Sequence, residues 1–116
     1  MHGGTEWVVD AFGCGPDRLR DAGAVTGLLE DLVAALALHV VGAPQIHVFP
    51  DPGGITALYL LAESHLAIHT FPETGVATLN LYSCRPRAPV DWAAALRGRL
   101  GAARVTVREL RRGGDA

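Results

Sequence analysis

Leu61-Ala62-Glu63-Ser64-His65-Leu66-Ala67-Ile68-His69-Thr70-Phe71-Pro72 is the stretch on which the reading of this chain turns. Apolar residues give it the look of a strand, yet it contains two histidines, a serine and a glutamate. A polar group buried without a partner costs on the order of 1–3 kcal/mol, so each of these needs a partner or a task. Directly after it, Pro72-Glu73-Thr74-Gly75 reads as a turn, and Val76 to Ser83 as a second strand. In that strand Ala77, Leu79 and Leu81 alternate with Thr78, Asn80 and Tyr82. If Phe71 pairs with Val76, then His69 faces Thr78, His65 faces Tyr82, and Glu63 lies opposite Cys84. A slip of one residue would move Cys84 to the other face.

Working outward, the spacing predicts a strand from Glu6 to Phe12, with Trp7, Val9 and Ala11 on one face and Glu6, Val8, Asp10 and Phe12 on the other. Gly13-Cys14-Gly15-Pro16 stops it. Apolar residues at steps of three and four predict a helix over Val25 to Val41, capped near Thr26 and ended by Gly42 and Pro44. His39 then falls near its C-terminus as a surface or dipole-facing histidine. Gln45 to Phe49 and Ile55 to Ala62 read as strands around the Pro50-Asp51-Pro52-Gly53-Gly54 breaker, with His65 to Phe71 following. A second helix is expected over Val90 to Leu100, and a last strand over Arg104 to Leu110. Met1 to Gly4 and Arg111 to Ala116 read as loose ends. Strands joined by short turns imply an antiparallel sheet, and two helices suffice for one face. The expected fold is α+β, a two-layer sandwich of antiparallel sheet and two helices on one face, as a single domain over residues 1–116.

Composition narrows the chemistry. The 116 residues include 49% hydrophobic ones, enough for a small core, and an uncovered sheet face would suit a dimer. A net charge of −2 argues against a nucleic-acid or anionic-membrane binder. All ten basic residues are arginine, which excludes a lysine-anchored pyridoxal phosphate. Cys14 and Cys84 belong to no CxxC or zinc-like cluster. His65 and His69, even with His47 as a third ligand, make a poor metal site, and none is expected. No signal segment or long apolar run is apparent, so a cytoplasmic protein with reduced cysteines is expected. Taken singly, Ser64 is an ordinary strand serine, Cys84 a small core residue, and a Cys84–His69 hydrolase pair lacks an oxyanion-hole motif.

In combination, Glu63-Ser64-His65-Leu66-Ala67-Ile68-His69-Thr70-Phe71-Pro72-Glu73 followed by Cys84 resembles the signature of the prokaryotic S-adenosylmethionine decarboxylases, E-S-H-x-x-I-H-T-W-P-E with a cysteine eleven residues on. The similarity runs from the first strand to the last. It implies a proenzyme that cuts itself between Glu63 and Ser64 by serinolysis, leaving a pyruvoyl group from Ser64 at the head of the α-chain. That carbonyl would form the Schiff base with the substrate amine, replacing pyridoxal phosphate as electron sink. By the same resemblance His69 assists the elimination as acid/base, Cys84 reprotonates the product, and Thr56 stands where the family has a processing serine. Glu73 and Phe49 fall at substrate-side positions, Phe49 as a stacking partner for adenine. Departures bear on the substrate: Phe71 replaces a tryptophan, Glu6 replaces a histidine, and the loop before Thr56 is longer and lacks an aromatic. An extra carboxylate suits a small cationic amino acid as well as an adenosyl sulfonium. The resemblance thus implies a decarboxylase of polyamine synthesis, acting on S-adenosylmethionine, or alternatively on arginine or ornithine, as a homodimer of processed α/β pairs. The non-enzyme alternative is an unprocessed dimeric binding module.

Overall fold

The computed structural model describes residues 3–114. The terminal pairs Met1-His2 and Asp115-Ala116, expected as parts of loose ends, lie outside the described residues. Chain order is β1 (Gly4–Phe12), α1 (Pro16–Leu19), α2 (Ala22–Ala35), β2 (Gln45–Val48), β3 (Ile55–Leu61), β4 (Ser64–Phe71), β5 (Val76–Ser83), α3 (Trp92–Leu100) and β6 (Arg104–Arg112). The strands form one six-stranded sheet in the order β2-β3-β4-β5-β1-β6, antiparallel throughout. Its helices lie on one side, which is the expected α+β two-layer sandwich.

Alternation in the strands decides which face the helices cover. Val9 and Ala11, Ala57 and Tyr59, Leu66 and Ile68, and Leu79 and Leu81 point into the core, where Leu28, Leu29, Leu32, Leu96 and Leu100 of the helices meet them. The opposite face carries Glu6, His65, His69, Thr78, Asn80 and Tyr82, together with exposed Leu58, Leu60, Phe71 and Leu110. Thr70, a polar residue on the core side, is buried and satisfied: its hydroxyl donates to the Leu19 carbonyl (2.7 Å) and accepts the Ile55 N–H (2.9 Å). That pair of bonds holds α1 against the sheet.

The β4–β5 register is the one that the turn predicts, with Phe71 opposite Val76 and His65 opposite Tyr82. Phe71 O accepts the N–H groups of Thr74 and Gly75, and Gly75 closes the turn at φ 70°, a conformation that suits glycine.

Several expected boundaries move. Helix α2 starts at Ala22, because the Asp21 carboxylate accepts from the N–H groups of Gly23 and Ala24 and caps it. Thr26 instead bonds back to the Ala22 carbonyl. The helix stops at Ala35, well short of Val41. Residues after Ala37, which sits at φ 52°, pair along the edge of β3 through a Val40–Leu61 bridge and a Val41 N–H to Leu60 O bond of 2.8 Å. Sheet hydrogen bonds win there over an apolar spacing that would also fit a helix. α1 was not foreseen, since Pro16 reads as a breaker but serves as its first residue. α3 begins at Trp92 behind an Asp91 cap and ends at Gly101, which takes the left-handed conformation. β1 includes Gly4, and β6 runs on through Arg111 and Arg112, so these are paired strand rather than loose ends. Among the described residues no helix is long and apolar enough to cross a membrane.

Candidate functional site

Ala62 and Glu63 form a two-residue turn between β3 and β4, with Leu61 opposite Ser64. Such turns favour Asn-Gly or Gly-Gly pairs that take positive φ. Neither Ala62 nor Glu63 does so; the positive φ falls on Ser64, at 151°. For a residue with a Cβ this backbone costs of order 1–3 kcal/mol and persists only where its surroundings hold it. Ser64 therefore opens β4 in a strained conformation, directly after the peptide bond expected to break.

Contacts at Glu63 supply the hold. Its carbonyl oxygen accepts the Cys84 N–H at 2.9 Å, which places Cys84 beside the Glu63–Ser64 bond. Its carboxylate is only 4% exposed. There Oε1 accepts the His39 N–H (3.2 Å), Oε2 meets His39 Nδ1 (2.6 Å), and an Arg87 nitrogen stands 3.8 Å away. Burial alone would push this carboxyl up. The hydrogen bonds from the His39 ring and backbone N–H outweigh it and hold Glu63 below the usual carboxylate range. His39 is exposed, as a surface histidine is expected to be, but it lies beyond the helix and is bonded to Glu63 rather than facing a helix end. Neither His39 nor Arg87 stood out in the sequence, because each is separated from Glu63 by two intervening strands.

Beside this turn lies an open cleft of about 800 Å³, lined among others by Cys84, Arg85, Arg87, Trp7 and Glu109. The other expected residues are elsewhere. His69 pairs with Thr56 on one side and Thr78 on the other, and its Nδ1 is 3.0 Å from the Thr56 hydroxyl. Ser64 is five residues back along the unbroken β4, roughly 16 Å at strand rise. No bend of the chain brings the two together. Phe71, half exposed, and Glu73 follow His69 toward the far turn. Phe49 sits at that same end, its N–H bonded to Gly54 O and its ring 4.5 Å edge-on from His47. The expected residues therefore fall into two groups at opposite ends of the sheet: Glu63, Ser64 and Cys84 at one, Thr56, His69, Phe71, Glu73 and Phe49 at the other.

Glu6 belongs to the open face at the Ser64 end, opposite Tyr82. Its carboxylate is already engaged, by Arg112 at 2.6 Å and by Asn80 at 3.3 Å. Asn80 also reaches His65 at 3.2 Å. Among the described residues no three His, Cys, Asp or Glu side chains converge as metal ligands.

A protein-family model described as S-adenosylmethionine decarboxylase matches residues 5–113. The chain belongs to the S-adenosylmethionine decarboxylase family. Among similar proteins, one from Parasynechococcus marenigrum is 34% identical over 113 residues, covering 94% of this chain and 84% of the relative. Another from Methanococcus aeolicus is 30% identical over 113 residues, covering 97% and 95%. Both are named S-adenosylmethionine decarboxylase proenzyme. The crystal structure of the adenosylmethionine decarboxylase from Aquifex aeolicus superposes with a TM-score of 0.79 at 27% identity, covering 99% of this chain and 94% of that one. The family resemblance of the Glu63–Glu73 segment thus extends over the whole fold.

Proposed function

We propose that this member of the family is a self-processing, pyruvoyl-dependent decarboxylase of polyamine synthesis whose substrate is S-adenosylmethionine. The observation that carries the reading is the strained Ser64, whose preceding carbonyl is held by the Cys84 N–H. Attack of the Ser64 hydroxyl on the Glu63 carbonyl carbon puts negative charge on the carbonyl oxygen, and the Cys84 N–H already donates to it. A preorganised donor of this kind is worth about 3 kcal/mol to the transition state. Expulsion of the amide nitrogen then leaves an ester and frees the strained backbone. His69, oriented by Thr56, takes the Ser64 Cα proton; the ester C–O bond breaks and Glu63 leaves as a carboxylate. Water hydrolyses the resulting enamine's imine tautomer, releasing ammonia and leaving a ketone at position 64. Positive φ, the bound carbonyl and a thiol-bearing neighbour all fit that origin for the group. A ketone there would supply the carbonyl for the substrate amine and the electron sink for decarboxylation. Cys84 would return a proton to the product carbon, and Phe49, Phe71 and Glu73 would line the substrate side.

Because His69 and Ser64 lie at opposite ends of one chain, the active unit is a homodimer stacked on its open faces. A two-fold axis across the strands lays the Ser64 end of one protomer over the His69 end of its partner. Exposed Leu58, Leu60 and Leu110 supply apolar area for that contact. The engagement of Glu6 with Arg112 and Asn80 neutralises the extra carboxylate that would suit a basic amino acid, which favours S-adenosylmethionine over arginine or ornithine. The purified protein should give two fragments split at Glu63/Ser64, with a carbonyl at position 64 by intact mass. It should release carbon dioxide from S-adenosylmethionine. A full-length species after long incubation, or release only from arginine or ornithine, contradicts the corresponding part of the reading.

A further inference from the structure

The Glu63 side chain has no evident reason to be buried. Turn residues usually face water, and a buried carboxylate is costly unless ion-paired. Here the segment after α2 and the segment after β5 both converge on it. His39 is held in place by its own carbonyl, which accepts the Ala62 N–H at 2.8 Å. The Arg87 side chain is 10% exposed and donates to Leu36 O at 3.1 Å, and its Nε is buried without a hydrogen-bond partner. A buried N–H with nothing to donate to is uncommon and calls for a partner.

We infer that His39 and Arg87 form a clamp on Glu63 that positions the scissile bond, and that Arg87 is the cation that receives the carboxylate created when that bond is cut. This deepens the processing reading and rests on it. Two arguments carry it. Ala62-Glu63 lacks turn-forming residues, so the strain at Ser64 must be imposed through tertiary contacts, and the carboxylate grip adds to the Cys84 N–H bond on the Glu63 carbonyl. The charge balance then changes at cleavage. Elimination breaks the ester C–O bond, and its electron pair stays with Glu63. That residue then carries two carboxylates where it had one, beside a cation with an unused N–H. Arg87 and His39 are positioning residues, acting through Glu63 rather than on the substrate.

The test follows cleavage of the full-length chain by intact mass, with hydroxylamine added to trap the ester. Arg87→Met should slow fragment formation roughly tenfold, the loss of one charge-assisted hydrogen bond at the leaving group, and should accumulate hydroxylamine-sensitive ester. Arg87→Lys, which keeps the charge, should recover most of the rate. Glu63→Ala should slow cleavage without building up ester, because the first step is then affected. Circular dichroism and the thermal midpoint show whether each variant folds. Wild-type cleavage kinetics in folded Arg87→Met overturn the inference; if that variant does not fold, wild-type kinetics in Glu63→Ala do so. A wild-type chain that never cleaves refutes the processing reading instead.

Discussion

Ser64 joins two properties that rarely coincide, a nucleophilic side chain and a backbone at φ 151°. Ser64→Ala and Ser64→Gly should both remain full length and inactive by intact mass and carbon dioxide release. Glycine tolerates positive φ, so Ser64→Gly should be the more stable of the two by roughly 1 kcal/mol in urea unfolding, which measures the strain. Equal stability would mean that the strain is absent. Glu63 offers a second handle. Its folded-state pKa is depressed by His39, so its contribution to stability is present above the ordinary carboxylate pKa of about 4.3 and is lost as pH falls through the lower, folded value. In the uncleavable Ser64→Ala background, adding Glu63→Gln should lower the urea midpoint near neutrality. That difference should shrink progressively below about pH 4. The charged or titratable groups facing Glu63 are His39 and Arg87, and a difference that grows on acidification contradicts the assigned sign.

Among the elements, β4 carries most of the information. Its threonine and both histidines find partners: Thr70 in the core, His65 with Asn80, and His69 with Thr56. Thr70→Val keeps the shape but orphans the Leu19 carbonyl and the Ile55 N–H, so it should cost about 1–3 kcal/mol by urea unfolding. An unchanged midpoint would mean that water replaces the hydroxyl. Alternation in β1 and β5 and the Pro72–Gly75 turn were sufficient for register and for the choice of buried face. The end of α2 was not legible, because Leu36 and Val40 extend the helical spacing while their backbone turns aside to pair with β3. α1 escaped for a related reason, since a single turn of helix carries no periodicity.

For the whole molecule, the proposed shared site makes processing depend on two chains, because Ser64 and His69 lie at opposite ends of β4. Ser64→Ala and His69→Ala homodimers should each fail to process normally, His69→Ala stalling at the ester. Co-expressed, they should form heterodimers in which the proposed site sets Ser64 of one chain against His69 of the other. The His69→Ala chain should then be cut while the Ser64→Ala chain stays intact. No cleavage in the mixture, with heterodimers shown by mass, contradicts a shared site. Leu60→Glu, on the open face, should shift the protein toward monomer in light scattering and reduce processing with it.

The sequence by itself determined the layers, the strand faces, the β4–β5 register and the chemically capable residues, because local alternation and turn chemistry act over a few residues. It also put Cys84 beside the Glu63–Ser64 bond, since an antiparallel ladder is arithmetic once its turn is known. Only the tertiary structure decided that the strain falls on Ser64, that Glu63 is gripped by His39 and Arg87, and that His69 stays at the far end of its own strand. Those outcomes depend on contacts between segments distant along the chain, and no local pattern encodes which of them meet.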